Sequence, residues 1–137
     1  MTHDMIYDGQ VLRWTGHGSF RASSGLPGFQ APGESCRAES GPVPPGLYQL
    51  YLADQDWGSK RARLEPADAA TRNRCAPARG GFYLHDSTKG YSHGCIGVEG
   101  RIFPLLRTYA RGSRSATMII KVEYVNDRAA DGGTLVE

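Results

Sequence analysis

Two histidines and one cysteine, His85, His93 and Cys95, fall within eleven positions of each other. A thiol attacks a carbonyl carbon poorly until a base removes its proton. Imidazole titrates near neutral pH and suits that work. Gly94, directly before Cys95, permits a tight turn with positive φ. Such a turn can aim successive backbone N–H groups at one point, as an oxyanion hole requires. The pattern points to acyl transfer, with Cys95 as nucleophile, His85 as base, and the amides of Gly94 and Cys95 as oxyanion donors. His93, two residues before the thiol, competes with His85 for the base role. The same three side chains could begin a zinc site. However, the chain has no Cys-x-x-Cys or His-x-x-x-His pair, and its other histidines, His3 and His17, lie early in the chain.

The elements around these residues must bring them together. Residues 82–86 read as a strand, and side chains alternate along a strand. Tyr83, His85 and Ser87 then share one face, and Phe82, Leu84 and Asp86 the other. Asp86 should not orient His85 directly, whereas Ser87 and Tyr83 are on the face to do so. Residues 87–95 form a loop rich in Gly, Ser and Thr, and a further strand follows Cys95. Upstream, residues 4–7 and 10–15 flank Asp8-Gly9, a hairpin signal. Residues 18–23 read as a third strand, and 24–42 as an irregular loop. In 47–53 the more apolar face is Tyr48, Leu50 and Leu52. Residues 54–60 read as a polar turn, 61–65 as a strand, 66–73 as at most a helical turn, and 74–81 as a loop. Residues 100–111 carry Ile102, Phe103, Leu105, Leu106 and Tyr109 at helical spacing, with Pro104 in the first turn. Residues 116–125 are the strongest strand, and 126–137 read as a frayed tail.

Ser92-His93-Gly94-Cys95-Ile96, with His85 upstream on a strand, resembles the signature of the L,D-transpeptidase (YkuD-type) catalytic domain. Gly41-Pro42-Val43-Pro44-Pro45-Gly46-Leu47-Tyr48 is similar to that family's Gly-Pro-x-Pro-x-Gly-x-Tyr/Phe segment. The resemblance spans roughly residues 18–125. The chain departs from the family pattern at two points. The step from His85 to Cys95 is ten residues, several shorter than usual, and Gly97 stands where the family mostly has Asn or Arg. The short spacer looks more like the L,D-transpeptidase-like effectors injected by type VI secretion systems. Leu64-Glu65-Pro66 and Asn73 also precede the Phe82–His85 stretch much as in that branch.

The resemblance implies a mainly β fold, an L,D-transpeptidase-like β-sandwich with one short helix, formed by residues 1–137 as a single catalytic domain. It implies a ping-pong reaction on peptidoglycan stem peptides. Cys95 takes the acyl group and releases a terminal D-amino acid, and the thioester passes to a stem amine, a free D-amino acid or water. It assigns His93 and Ser92 to bracing the loop and acyl site. Ser92, Tyr91, Arg79 and Tyr83 are candidate substrate-binding residues, since arginine binds carboxylates bidentately and stems carry several. Trp14 and Trp57 could be sugar platforms but are more often core residues. No cofactor or metal is implied; an immunity protein is a possible partner. Two alternatives remain: a non-catalytic peptidoglycan-binding or inhibitor module on the same fold, and a cysteine amidase of the cell wall.

A chain of 137 residues with 39% hydrophobic content reads as one domain, and 18 Gly with 8 Pro favours short strands and turns. The net charge is +2 and the 16 Lys and Arg are scattered, which argues against a nucleic-acid partner. No apolar run approaches membrane-spanning length. The N-terminal residues lack the charged and apolar regions of a signal peptide. Export through a secretion machine, with action in a target cell's periplasm, is therefore the expected route from the cytoplasm where the chain is made. Three cysteines leave an odd count. With Cys95 as nucleophile, Cys36 and Cys75 either pair after export or remain two unrelated thiols of a cytosol-made protein.

Overall fold

The computed structural model describes residues 3–56, 60–87, 89–112, 117–125 and 128–132. Eight strands follow in order: β1 (Met5–Tyr7), β2 (Val11–Trp14), β3 (Gly18–Ser23), β4 (Gly46–Asp56), β5 (Arg61–Pro66), β6 (Phe82–Asp86), β7 (Ile96–Val98) and β8 (Thr117–Val122). A four-residue helix α1 (Ala69–Arg72) lies between β5 and β6, and α2 (Ile102–Gly112) lies between β7 and β8. The chain is thus mainly β with one helix of substantial length. The strands form one closed barrel in the order β1-β2-β3-β7-β6-β5-β4-β8. The expected two-sheet sandwich is not evident. The ladder closes through pairings between segments far apart in sequence: β1 lies parallel to β8, and β3 antiparallel to β7. Closure also removes the unpaired strand edges that an open sheet exposes.

Alternation along the strands fills the barrel. Tyr48, Leu50 and Leu52 from β4 are buried, with Ala62 and Leu64 from β5, Phe82 and Leu84 from β6, and Met118, Ile120 and Val122 from β8. Fully burying a side chain of this size stabilises by about 1.5–3 kcal/mol. Helix α2 closes the core with Ile102, Phe103 and Leu106, while Leu105, expected on the apolar stripe, is 39% exposed. Asp68 caps α1 by accepting from the Thr71 N–H at 2.8 Å. Trp14 is a core residue at 4% exposure. Trp57 and part of the expected 54–60 turn lie outside the described residues, and β4 runs on to Asp56.

The site depends on two further features. Strands β6 and β7 are parallel neighbours, with Leu84 opposite Ile96, His85 opposite Gly97 and Asp86 opposite Val98. Parallel neighbours ordinarily need a long crossover. Here residues 87–95 make the return, with Gly90 at φ +82° and Gly94 at φ +88°. The 24–42 segment packs beside that loop and includes a short 3-10 turn, Pro32–Glu34, that the sequence did not suggest. A Cys36–Cys75 disulfide ties it to the segment before β6.

Candidate active site

On β6, Phe82 and Leu84 point into the core, whereas Tyr83 and His85 are half-buried on the outer face. On β7, Ile96 and Val98 point inward. Cys95 and Gly97 therefore lie along the same outer face as Tyr83 and His85. Residues two apart on a strand are separated by about 6.6 Å, so Cys95 sits diagonally from His85, one pleat back. The imidazole lies over Gly97: a Cβ built there would be 3.5 Å from His85 Cε1, and only 2.9 Å from Ser87 Cβ. The space above Gly97 is thus already filled.

His85 Nδ1 makes a long hydrogen bond, 3.4 Å, with the backbone carbonyl of Asp86. The tautomer with hydrogen on Nδ1 satisfies that bond and leaves the Nε2 lone pair available as a base. The orienting group is thus a carbonyl. Ser87, expected as one candidate, accepts instead from the Lys89 N–H at 3.4 Å. The ring of Tyr83, the other candidate, carries the Arg61 guanidinium at 4.2 Å. The Asp86 carboxylate pairs with Lys60 Nζ at 3.5 Å, as its place on the opposite face led one to expect.

Burial lowers the His85 pKa. The Asp86 backbone bond opposes that shift, the Arg61 charge adds to it, and the Asp86 charge opposes it. Burial also raises the Cys95 pKa, against a hydrogen bond from the Tyr83 backbone and the charges of Arg61 and Arg79. Both shifts favour the neutral forms. The resting pair is therefore thiol and imidazole, not thiolate and imidazolium, and the proton must move as attack occurs.

The loop that carries Cys95 is braced at several points. The Ser92 hydroxyl donates to the Cys95 carbonyl, the Ser92 N–H donates to the Gly25 carbonyl at 2.9 Å, and Gln30 Nε2 donates to the Gly90 carbonyl at 2.6 Å. Ser92 is buried and so acts as an internal brace. Gly94 is buried in the left-handed region, and a Cβ there would collide with Arg79 Nη2. Arg79 Nη1 donates to the carbonyls of Ser35 at 2.6 Å, Pro42 at 2.8 Å and Gly41 at 3.3 Å. Arg79 thus ties the 35–42 stretch to the turn beneath Cys95, a use of its guanidinium that the sequence did not suggest.

An open cleft of about 790 Å³ brings together Tyr83, His85, Tyr91, Ser92, His93 and Cys95. A second, of about 860 Å³, lies on the other side of Cys95 and is lined by Arg79, Gly80, Gly81 and Cys36, among others. Tyr83, His93, Cys95 and Arg61 border both. His93 is exposed on this divide, and Tyr91 is 37% exposed. Gly94 is buried below it. Sequence reasoning missed Arg61, which faces His85 across the β5–β6 ladder. Only the strand pairing brings it to the site, and no local motif marks it.

Among the described residues no group of three or more His, Cys, Asp or Glu side chains is arranged to hold a metal ion, and no helix is long and apolar enough to cross a membrane. No family model matches the chain, and no curated protein matches it.

Proposed function

We propose that the protein is a cysteine acyltransferase acting on peptidoglycan stem peptides, in the manner of the L,D-transpeptidases that the Ser-His-Gly-Cys segment resembles. The observation that carries this reading is the outer face shared by Cys95 and His85. A half-buried thiol lies one pleat from an imidazole whose Nδ1 is engaged and whose Nε2 is available. A binding module has no need of that pair.

In the proposed reaction, Cys95 Sγ attacks the carbonyl before the terminal D-amino acid while His85 Nε2 takes the thiol proton. The amides of Gly94 and Cys95 receive the oxyanion. Collapse breaks the C–N bond, and the His85 proton passes to the departing amine. An amine or water then enters, gives its proton to His85 and attacks the thioester; the proton returns to Cys95 as the thiolate leaves. The two clefts meeting at Cys95 suit a donor on one side and an acceptor on the other. Injection into a competitor's periplasm, an immunity protein, and the family's two-sheet sandwich belong to the same reading.

The test is mass spectrometry of muropeptides incubated with the protein. Cys95→Ala and His85→Ala should each abolish turnover, with losses that do not add, and His93→Ala should reduce it less. If His93→Ala is the more damaged of the two histidine variants, the base is His93. If the wild type alters no muropeptide while binding them, the non-catalytic module is the better reading.

A further inference from the structure

We infer that Arg61 is the site's carboxylate anchor: it selects an acyl donor that bears a free carboxylate within one residue of the bond to be cut. This rests on the acyl-transfer reading for the identity of the bond, but not for the existence of the anion site.

Five arginines of this protein have clear partners. Arg13 pairs with Asp8, Arg37 with Glu34, Arg63 with Glu65 and Arg101 with Glu99. Arg79 is engaged with three carbonyls. Arg61 has neither an acidic partner nor a carbonyl among the described residues. Its guanidinium is stacked at 4.2 Å over the ring of Tyr83. Stacking limits the side chain's freedom without occupying its N–H groups, so the fork is held ready for a planar, two-oxygen acceptor. Its position is equally specific. Arg61 is opposite His85 in the ladder, and it borders both clefts that meet at Cys95.

A terminal carboxylate lies one residue beyond the scissile amide of the proposed donor. One residue of extended chain spans about 3.3 Å, so a peptide with its carbonyl at Cys95 can bring that carboxylate to a guanidinium beside His85. Asp86, which lines the β6-side cleft, is paired with Lys60 at 3.5 Å.

The experiment compares a synthetic stem tetrapeptide with its C-terminal carboxamide. Wild type and Arg61→Gln are assayed for turnover, and the same pair is assayed for binding by calorimetry in a Cys95→Ala background. Wild type should prefer the carboxylate by about 10- to 100-fold in kcat/KM, the range of a charge-assisted hydrogen bond. Arg61→Gln should erase that preference mainly through KM, lowering turnover of the carboxylate peptide far more than that of the carboxamide. Arg61→Lys, which keeps the charge without the fork, should restore only part of it. Unaltered thermal unfolding of Arg61→Gln excludes misfolding as the cause. Equal use of both peptides by wild type and Arg61→Gln overturns the assignment while leaving acyl transfer intact. Preferential binding that Arg61→Gln removes, with turnover of neither peptide, keeps the anchor and overturns acyl transfer. Absence of both binding and turnover overturns both.

Discussion

Replacing Gly97 by alanine adds one methyl group at a crowded point of the site, between Ser87 and His85. The new Cβ would be 2.9 Å from Ser87 Cβ, 3.3 Å from Ser87 Oγ and 3.5 Å from His85 Cε1. Carbon atoms prefer about 3.5–4.0 Å, so the Ser87 contact is short by about 0.6 Å or more, while the His85 contact is an ordinary one. Overpacking of this kind costs about 1–3 kcal/mol. Relief must come from the turn at Ser87 moving outward, and His85, two residues earlier on the same outer face, moves with it. A misplacement of about 1 Å can cost on the order of 100-fold in rate. Gly97→Ala should therefore lower the urea midpoint by about 1 M, taking a cost of about 2 kcal/mol and an m-value of about 2 kcal/mol/M, and lower muropeptide turnover by about 10- to 100-fold. Ser87→Gly removes the offending Cβ, so the double variant Ser87→Gly/Gly97→Ala should recover most of both losses relative to Ser87→Gly alone. Urea unfolding followed by fluorescence, with turnover by mass spectrometry, closes the cycle. If the two substitutions simply add, Ser87 is not the obstruction and the steric account of Gly97 is wrong.

Two more predictions concern protons and sulfur. Because burial lowers the His85 pKa, the acid limb of kcat/KM should fall below the ordinary imidazole value of about 6.5; a limb above that value would contradict the neutral-base picture. The stability effects have opposite signs. His85, depressed in the fold, contributes stability present above its unfolded pKa and lost as pH falls through the folded one. Cys95, raised in the fold, contributes stability present below its unfolded pKa and lost as pH rises through the folded one. Denaturant unfolding of wild type, His85→Ala and Cys95→Ala across pH separates them. Finally, the Cys36–Cys75 bridge has a sequence separation of 39, and closing such a loop is worth about 4 kcal/mol on the chain-entropy model. Cys36→Ser/Cys75→Ser should unfold at correspondingly lower denaturant and lose turnover as the 35–42 stretch releases Arg79. Unchanged unfolding would show that the bridge constrains nothing.

The parts of this molecule legible in its sequence are those with local causes. Alternation in 47–53 identified the buried face of β4, because Tyr48, Leu50 and Leu52 signal burial whatever strand lies beside them. The positive φ of Gly94 followed from its place before the thiol. Barrel closure was not legible, because the β1–β8 and β3–β7 pairings join segments about 115 and 75 residues apart, and periodicity carries no information about partners. Arg61 failed for the same reason: it is an unremarkable strand residue until β5 aligns it with His85. Arg79 has a structural duty that its sequence position did not reveal. An arginine near a proposed anion site reads as a ligand, yet buried carbonyls in an irregular loop also need donors, and the 35–42 carbonyls claim it.

The short connection between β6 and β7 and the glycine at position 97 have a common physical origin. The connection from β6 to β7 must reverse and return between parallel neighbours, and among its described residues none is helical. A compact loop of this kind has few side chains to spare for the outer face of β7. His85 covers it instead: with hydrogen alone at Gly97, the ring settles onto the strand, one pleat along from Cys95. A side chain as large as asparagine would occupy the ring's own place. The short spacer and the glycine are thus two halves of one packing solution. Lengthening the loop should be tolerated only if residue 97 remains small, and enlarging residue 97 only if the 87–95 turn is given room to move away.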